Sequence, residues 1–204
     1  GSGRGIAAAM DVATAGVLLR QESHRPSDAA GLLERVNATL HRDLHEERHV
    51  CALLAVLDAD SGELTVCGAG ELSLFLFRAR TAAAEQVILS GIPLGQEATD
   101  EFGAALDTRT FQLGDGDRVL LSNGGAELLE NETGARLGTE RWVEMVERCC
   151  RSQAGPFVSQ LRRHVQRWLG RTRVCEDVVV VSLHCECTPT RARPAQPTSE
   201  NVGV

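Results

Sequence analysis

Apolar positions change their period along the chain, and these changes divide it into helical and extended segments. Residues 5–20 are Ala-rich and apolar on most sides, which predicts a buried helix entered from a glycine loop. Over residues 27–46 apolar side chains recur at three- or four-residue spacing, and Ser27 is placed as an N-cap, which predicts a second, amphipathic helix. The apolar stripe of this second helix consists of Leu33, Val36, Leu40 and Leu44.

Short apolar runs separated by turn residues predict strands in the middle of the chain. Three of them follow one another closely and indicate an antiparallel meander, at residues 49–58, 63–68 and 72–77. Further strands are predicted at residues 85–89, 108–113 and 118–122, and a Val-rich closing strand, buried on both faces, at residues 177–183. Helical patterns return at residues 139–151 and 156–169, where Pro156 suits a first helical turn.

This order of elements favours an α+β fold. Two helices, a run of antiparallel strands, two more helices and a closing strand do not alternate as a doubly wound parallel sheet requires, whereas two stacked sheets flanked by helices accommodate them. Residues 1–187 are therefore expected to form one domain. Pro, Thr, Ser and Arg dominate residues 188–204, and this composition predicts a disordered tail.

Composition narrows the classes of function. The length of 204 residues suits one ordinary domain, and the formal charge of -7 argues against a nucleic-acid clamp or a binder of anionic membranes, since both need a dense basic field. No apolar run approaches ~18 residues, so a membrane-spanning helix is not expected. All 21 positions counted as Lys or Arg are arginine, which excludes lysine-based catalysis.

Cysteine usage points to a reducing cytoplasm. The seven cysteines are odd in number, lack the spacing of a disulfide framework and lie in apolar runs where cysteine behaves as a small hydrophobe. The chain opens with GSGRG directly before a helix and shows no signal-peptide pattern, which suggests that it begins inside a domain.

Three segments could carry chemistry, and each also has a plainer structural interpretation. Gly3 and Gly5 precede a helix N-terminus, which favours anions through its backbone N–H groups but also suits a tight turn. The strand at residues 118–122 runs into the sequence Ser-Asn-Gly-Gly, which is typical of a functional strand end and equally of a turn that tolerates positive φ. Glu176 and Asp177 could hold a hard divalent cation or form a solvated strand entrance.

In this order the segments resemble the catalytic domain of bacterial serine phosphatases of the sporulation stage II protein E (SpoIIE) type, within the metal-dependent protein phosphatase 2C (PPM) superfamily. The matching segments are SGRGIAAAM, VNATL, CALLAVLDADSGELTVCGAG, GIPLG, GDRVLLSNGGAE and EDVVVVSL, which together span roughly residues 2–184. The resemblance implies an α-β-β-α sandwich of two antiparallel sheets between helical layers, here without its first strands. It also implies two Mn or Mg ions, a metal-activated water that hydrolyses phosphoserine or phosphothreonine, and a phosphorylated anti-sigma-factor antagonist as partner.

The departures from the family pattern fall on the expected metal ligands. The resemblance assigns the metal site to Asn123, Glu176 and Asp177, with Asn123 in place of the aspartate of a Thr-Asp-Gly motif and Glu176 in place of the first aspartate of a closing pair. Two cations ~3.5–4 Å apart repel each other strongly unless several carboxylates surround them. We therefore do not expect a working two-metal centre in this chain.

Other positions of the family pattern are also substituted. The loop Gly3, Arg4 and Gly5 would lie near the phosphate or the metal, with Arg4 where the family has histidine. Glu71 stands where the family has the histidine of an Ala-Gly-His turn. The family's earlier Gly-Asp ligand, and the aspartate before the glycine loop, would lie upstream of Gly1.

Three hypotheses follow. The first is a cytoplasmic signalling protein serine/threonine phosphatase domain with little activity in this chain, and the second is a non-catalytic pseudophosphatase module on the same scaffold. The third, and weakest, is a zinc-binding regulator that uses the C-terminal Cys/His cluster. Its ligands would come from His184, Cys185 and Cys187, joined by Cys175 or the pair Cys149 and Cys150.

The remaining candidates have plainer explanations. His41, His45 and His49 could share a metal but lie among charged residues, as at a solvated helix end. Ser122 lacks the Gly-x-Ser-x-Gly context of a serine hydrolase nucleophile. Trp142 and Trp168 suit core or interface positions, which leaves a homodimer open as an arrangement.

Overall fold

Two antiparallel sheets form the centre of the computed structural model, which describes residues 5–25, 27–44, 48–152, 155–172 and 178–186. The helices are α1 (Ile6–Glu22), α2 (Ala29–Asp43), α3 (Thr99–Ala105), α4 (Gly138–Arg151) and α5 (Phe157–Leu169). The strands are β1 (Ala52–Asp58), β2 (Glu63–Ala69), β3 (Leu72–Arg78), β4 (Ala83–Leu89), β5 (Asp107–Gln112), β6 (Arg118–Ser122) and β7 (Val180–His184). One sheet has the order β1-β2-β5 and the other β4-β3-β6-β7.

Three apolar clusters join these elements into four layers. The inter-sheet cluster is built from both sheets, with Leu64 and Val66 of β2 against Leu74, Leu76 and Val119 of the four-stranded sheet. A second cluster joins α1, α2 and α3 to the three-stranded sheet, and a third, called here the helix-side cluster, joins α4 and α5 to the four-stranded sheet. The α-β-β-α sandwich expected from the sequence is therefore confirmed.

The expected meander of three strands is wrong at one point, because β2 and β3 belong to different sheets. β2 pairs with β1 and β5, whereas β3 pairs with β4 and β6. The chain crosses between the sheets at Gly70, which has φ +102°, and a Cβ there would lie 2.8 Å from Cys51 Sγ. Nearby, a Cβ on Gly91 would lie 2.5 Å from the carbonyl oxygen of Gly68. The hydrophobic pattern does not separate such a crossing from a hairpin.

The expectation that the first helix is buried is also wrong. In α1 only Asp11 and Ala15 are buried, while Ile6, Met10 and Val17 are 83%, 64% and 62% exposed. Only one side of α1 packs, against α2 and its cluster. The high helix propensity of its alanines explains why the segment forms a helix without burial on all sides.

The second helix forms where the apolar stripe predicts it, although its ends differ. Leu33, Val36 and Leu40 are completely buried. The N-cap is Asp28 and not Ser27, because Asp28 Oδ1 accepts the N–H of Gly31 at 2.8 Å. The helix ends at Asp43, short of the predicted residue 46. Helix α3 was not predicted, because it is short and Phe102 is the only buried residue among those of its residues whose burial is described.

The closing strand lies at a sheet edge, so its predicted burial on both faces is wrong. Among the described strands, β7 pairs with β6 alone, and Val181 remains 49% exposed. The predicted tail at residues 188–204 lies outside the described residues and stays a prediction.

Trp142 is a core residue, fully buried and edge-on to Phe75 at a centroid distance of 6.3 Å.

Asp117 anchors the start of β6 and is 5% exposed. Its Oδ1 accepts the N–H of Ala79 (2.9 Å), and its Oδ2 accepts the N–H of Gly114 (3.0 Å) and Nη1 of Arg78 (2.8 Å). Burial is the largest single influence and raises the pKa of Asp117, but the Gly114 N–H, the Arg78 guanidinium and the Ala79 N–H together outweigh it. The pKa of this carboxyl therefore lies below its ordinary value.

We expect Asp117→Asn to lower the free energy of unfolding by about 1–3 kcal/mol at neutral pH, because the new amide nitrogen would face N–H donors. The pKa of Asp117 is lower in the folded state than in the unfolded state. The stabilisation that its carboxylate provides is therefore complete above about pH 3.9 and is lost as the pH falls through the folded pKa. Urea denaturation at several pH values measures the difference. Asp60→Asn, at an exposed aspartate, is the control, and an Asp117 effect that stays constant into acid would contradict this assignment.

Candidate functional site

Asn123 joins the end of β6 to the approach of β7. Its backbone N–H donates to the carbonyl oxygen of Val179 (3.3 Å), and its Oδ1 accepts the N–H groups of Val179 (3.2 Å) and Gly125 (3.2 Å). Val179 follows Asp177 by two residues, so the amide lies beside the chain that leaves the predicted carboxylate pair. Glu176 and Asp177 themselves lie outside the described residues and stay predictions.

The turn after β6 explains how Asn123 is presented. Gly124 has φ +74°, a conformation that glycine adopts without strain, and its N–H donates to Ser122 Oγ (3.3 Å). The Ser122 hydroxyl and the Asn123 amide thus both accept backbone N–H groups, as such residues commonly do at turns. Ser122 therefore has a structural task at this position.

A cavity of about 140 Å³ lies at this end of the four-stranded sheet and brings two predicted positions together. Glu71 and Asn123 both line it, with Ser73, Gln86 and Ser122 as further polar walls. Among the described residues, its lining contains one carboxylate, that of Glu71, and no arginine or histidine. This part of the lining therefore offers a phosphate no opposite charge.

Glu127, the last residue of the motif GDRVLLSNGGAE, is half-buried, and the sequence did not indicate its environment. One carboxylate oxygen, Oε2, is enclosed and has no hydrogen-bond partner among the described residues. A buried carboxylate oxygen without a donor is costly.

The glycine loop enters α1 through Gly5, while Gly3 and Arg4 lie outside the described residues. Gly5 has φ +85°, no side chain caps the helix, and the Gly5 carbonyl accepts the N–H of Ala9 (3.2 Å). The start of α1 is held instead by Arg48, which forms a bidentate ion pair with buried Asp11 (Nε–Oδ2 2.7 Å) and donates to the Ala7 carbonyl (2.8 Å). Sequence reasoning missed this pair, although an aspartate within an apolar Ala-rich run was its signal.

Asn37 fixes the Pro-Leu-Gly segment to α2. The side chain is completely buried, its Nδ2 donates to the Glu97 carbonyl (3.0 Å), and its Oδ1 accepts the N–H of Gly95 (2.8 Å). His41 adds a contact between Nδ1 and the Gly95 carbonyl oxygen (3.2 Å). The segments VNATL and GIPLG, far apart in sequence, are thus one structural unit.

The other proposed metal sets do not assemble among the described residues. His45, Cys175 and Cys187 lie outside them. Cys149 is buried in the helix-side cluster, whereas Cys185 packs against the inter-sheet cluster, so these two thiols belong to different layers. His184 Nδ1 contacts Glu186 Oε1 at 3.1 Å.

The described part of the chain does not fit a two-metal centre. Within it no three His, Cys, Asp or Glu side chains converge as metal ligands. Of the expected ligands it contains only Asn123, whose Oδ1 already accepts two backbone N–H groups. An uncharged amide also contributes less than a carboxylate to binding a hard cation.

Comparison with protein families decides the relationship. The family model described as "Stage II sporulation protein E (SpoIIE)" matches residues 1–186. The chain belongs to the SpoIIE family. The fold and the ordered motifs of this SpoIIE-family chain agree with that assignment.

Solved structures share the fold. The RsbU and RsbW domains of a Mycobacterium tuberculosis protein match with a TM-score of 0.72 at 22% identity, covering 92% of this chain and 51% of that one. The PP2C phosphatase domain of Bacillus subtilis SpoIIE, solved with a fragment of its regulatory domain, matches with a TM-score of 0.70 at 18% identity, covering 91% and 52%. RsbX in complex with magnesium matches with a TM-score of 0.60 at 15% identity, covering 89% and 76%.

This SpoIIE-family chain spans about half the length of the first of these structures. A sequence comparison with curated proteins found no significant match. Among the helices of the described residues, none is long and apolar enough to cross a membrane.

We expect Asn37→Asp to lower the free energy of unfolding by about 1–3 kcal/mol, because the Glu97 carbonyl would lose its donor and face a buried carboxylate oxygen. Gln96→Glu makes the same amide-to-carboxylate change at an exposed side chain of the same loop and is the matched control. Urea denaturation measures both variants. Equal effects of the two changes would show that Asn37 does not hold the loop.

Proposed function

We propose that this chain is the phosphatase-type domain of a bacterial regulatory protein and that it binds a small phosphorylated protein of the anti-sigma-factor-antagonist type in the cytoplasm. The observation that carries this proposal is the SpoIIE family match over residues 1–186, on an α-β-β-α sandwich. The similar fold of an RsbU domain that was solved together with an RsbW domain supports a partner in regulatory signalling.

The proposed reaction is the metal-dependent hydrolysis of phosphoserine or phosphothreonine. Magnesium in the similar RsbX structure supports Mg or Mn as the ion. The described residues do not fit two such ions, and those of them that line the cavity beside Asn123 include no cationic side chain. We therefore expect a low rate in the natural sequence, limited by the missing negative charge at position 123.

A second candidate is a non-catalytic module that binds the regulatory protein without hydrolysing it. The neutral side chain of Asn123 favours it, because its Oδ1 accepts the N–H groups of Gly125 and Val179 and so holds the β6–β7 junction, but brings no charge for an ion. In this candidate the residue is retained for the β6–β7 junction, and no ion is needed.

The two candidates differ in the behaviour of Asn123→Asp. In the full-length protein, we expect this change to raise the Mn-dependent hydrolysis of a chromogenic phosphate by about tenfold or more, equivalent to about 1.4 kcal/mol of barrier. A carboxylate keeps an oxygen for the two N–H donors and adds the charge that the family position carries. Rates with manganese and with a chelator, measured on both proteins, provide the test.

Asn123→Ala is the matched control, since it removes the oxygen and adds no charge. It should lower the melting temperature and leave the Mn-dependent rate at background. If Asn123→Asp folds and its rate is the same with manganese and with chelator, the enzymatic proposal fails and the non-catalytic candidate replaces it. If the natural sequence is already fully active with manganese, the role assigned to the missing charge is wrong.

A further inference from the structure

The outer face of α5 concentrates positive charge on a chain whose formal charge is -7. The helix contains Arg162, Arg163 and Arg167 and no acidic residue. Its opposite face packs into the helix-side cluster through Phe157 and Leu161. Like charges on one helix repel each other, and their combined field attracts negative groups.

A cavity of about 290 Å³ lies between α4 and α5 at this face. Arg141 and Arg148 of α4 and Arg167 of α5 line it, and Trp168 forms an apolar wall. Glu144 is the only acidic residue among the described lining residues, so their three arginines and one glutamate give a net charge of +2. The cavity shares no lining residue with the one beside Asn123.

The charges of these arginines are not neutralised within the described residues. The ion pairs that form there include none of Arg141, Arg148 and Arg167. Arg141 is held in place, because its guanidinium carbon lies 5.2 Å from the centre of the Trp168 ring and its Nη1 donates to the Arg136 carbonyl (3.3 Å). Neither contact supplies a negative charge, so Arg141 is both oriented and available.

His164 lies within the electrostatic influence of arginines from both helices. Burial lowers the pKa of this imidazole, and the guanidinium groups of Arg167, Arg148 and Arg163 lower it further. Arg148 and Arg167 come from different helices and both act on it. The imidazole is therefore neutral at pH 7 and offers a hydrogen-bond donor or acceptor at the cavity wall. The Trp168 indole N–H is buried and has no acceptor among the described residues.

We propose that the cavity between α4 and α5 binds a dianionic phosphate group, as carried by inorganic phosphate or by a phosphate monoester. Such a group has a charge of about −1.5 to −2 at neutral pH, which balances the lining. Guanidinium groups bind phosphate oxygens through paired N–H donors, and three of them around one cavity suit this geometry. The site is independent of the proposed phosphatase function.

Titration calorimetry of the full-length protein with inorganic phosphate, and separately with a phosphoserine peptide, tests the proposal. All buffers contain chelator and chloride at constant ionic strength, so that a metal site cannot contribute. We expect saturable one-to-one binding that weakens about tenfold or more in Arg148→Gln and in Arg167→Gln. Glu144→Gln should tighten binding several-fold, because it removes the only carboxylate of the lining. Tighter binding of the peptide identifies a phosphorylated side chain as the source, and equal or tighter binding of inorganic phosphate identifies a free ligand.

Arg162→Gln is the matched control, since Arg162 is exposed on the same helix and does not line the cavity. Its affinity for phosphate should change less than twofold. Absence of saturable binding by both probes would overturn the proposal. So would an Arg162→Gln effect as large as that of Arg148→Gln, which would indicate a diffuse basic surface, or weaker binding in Glu144→Gln.

Discussion

The two sheets face each other because the chain passes from one to the other, and the first of these crossings, at Gly70, leaves no space for a side chain. Gly70 sits against Cys51, and Gly91 sits against the carbonyl oxygen of Gly68, at distances that leave no space for a Cβ. A side chain at either place would have to displace these neighbours, which the close packing of protein interiors resists. The position of β6, and with it Asn123, follows from this crossing, since β6 pairs with β3 on one side and β7 on the other.

Much of the fold could be predicted because its signals are local. The stripe of Leu33, Val36 and Leu40 predicts α2, and the apolar run after the Gly-Asp turn predicts β6 with the bounds that the structure has. The failures concern information that a single segment does not contain. The change of sheet after β2, the edge position of β7 and the exposure of α1 all depend on which neighbours an element finds in three dimensions.

The candidate site, like the fold, could be predicted from the sequence only in part. The ordered motifs identified the position of Asn123 and the family, because each motif is a short run of letters. The roles of Asn37 and Asp11 could not be predicted, since their partners lie 60 and 37 residues away along the chain. The cationic cavity between α4 and α5 could not be predicted either, because arginines on two separate helices form a cluster only after the helices pack against the four-stranded sheet.

The side-chain oxygen of Asn123 accepts two backbone N–H groups, and this has a consequence for how such domains change over evolutionary time. Asparagine and aspartate have the same shape, and either can accept the N–H groups of Gly125 and Val179, so the junction of β6 and β7 tolerates both. Their codons differ in a single base. A lineage can therefore exchange a charged residue for a neutral one here, and reverse the exchange, without repacking any layer of the sandwich.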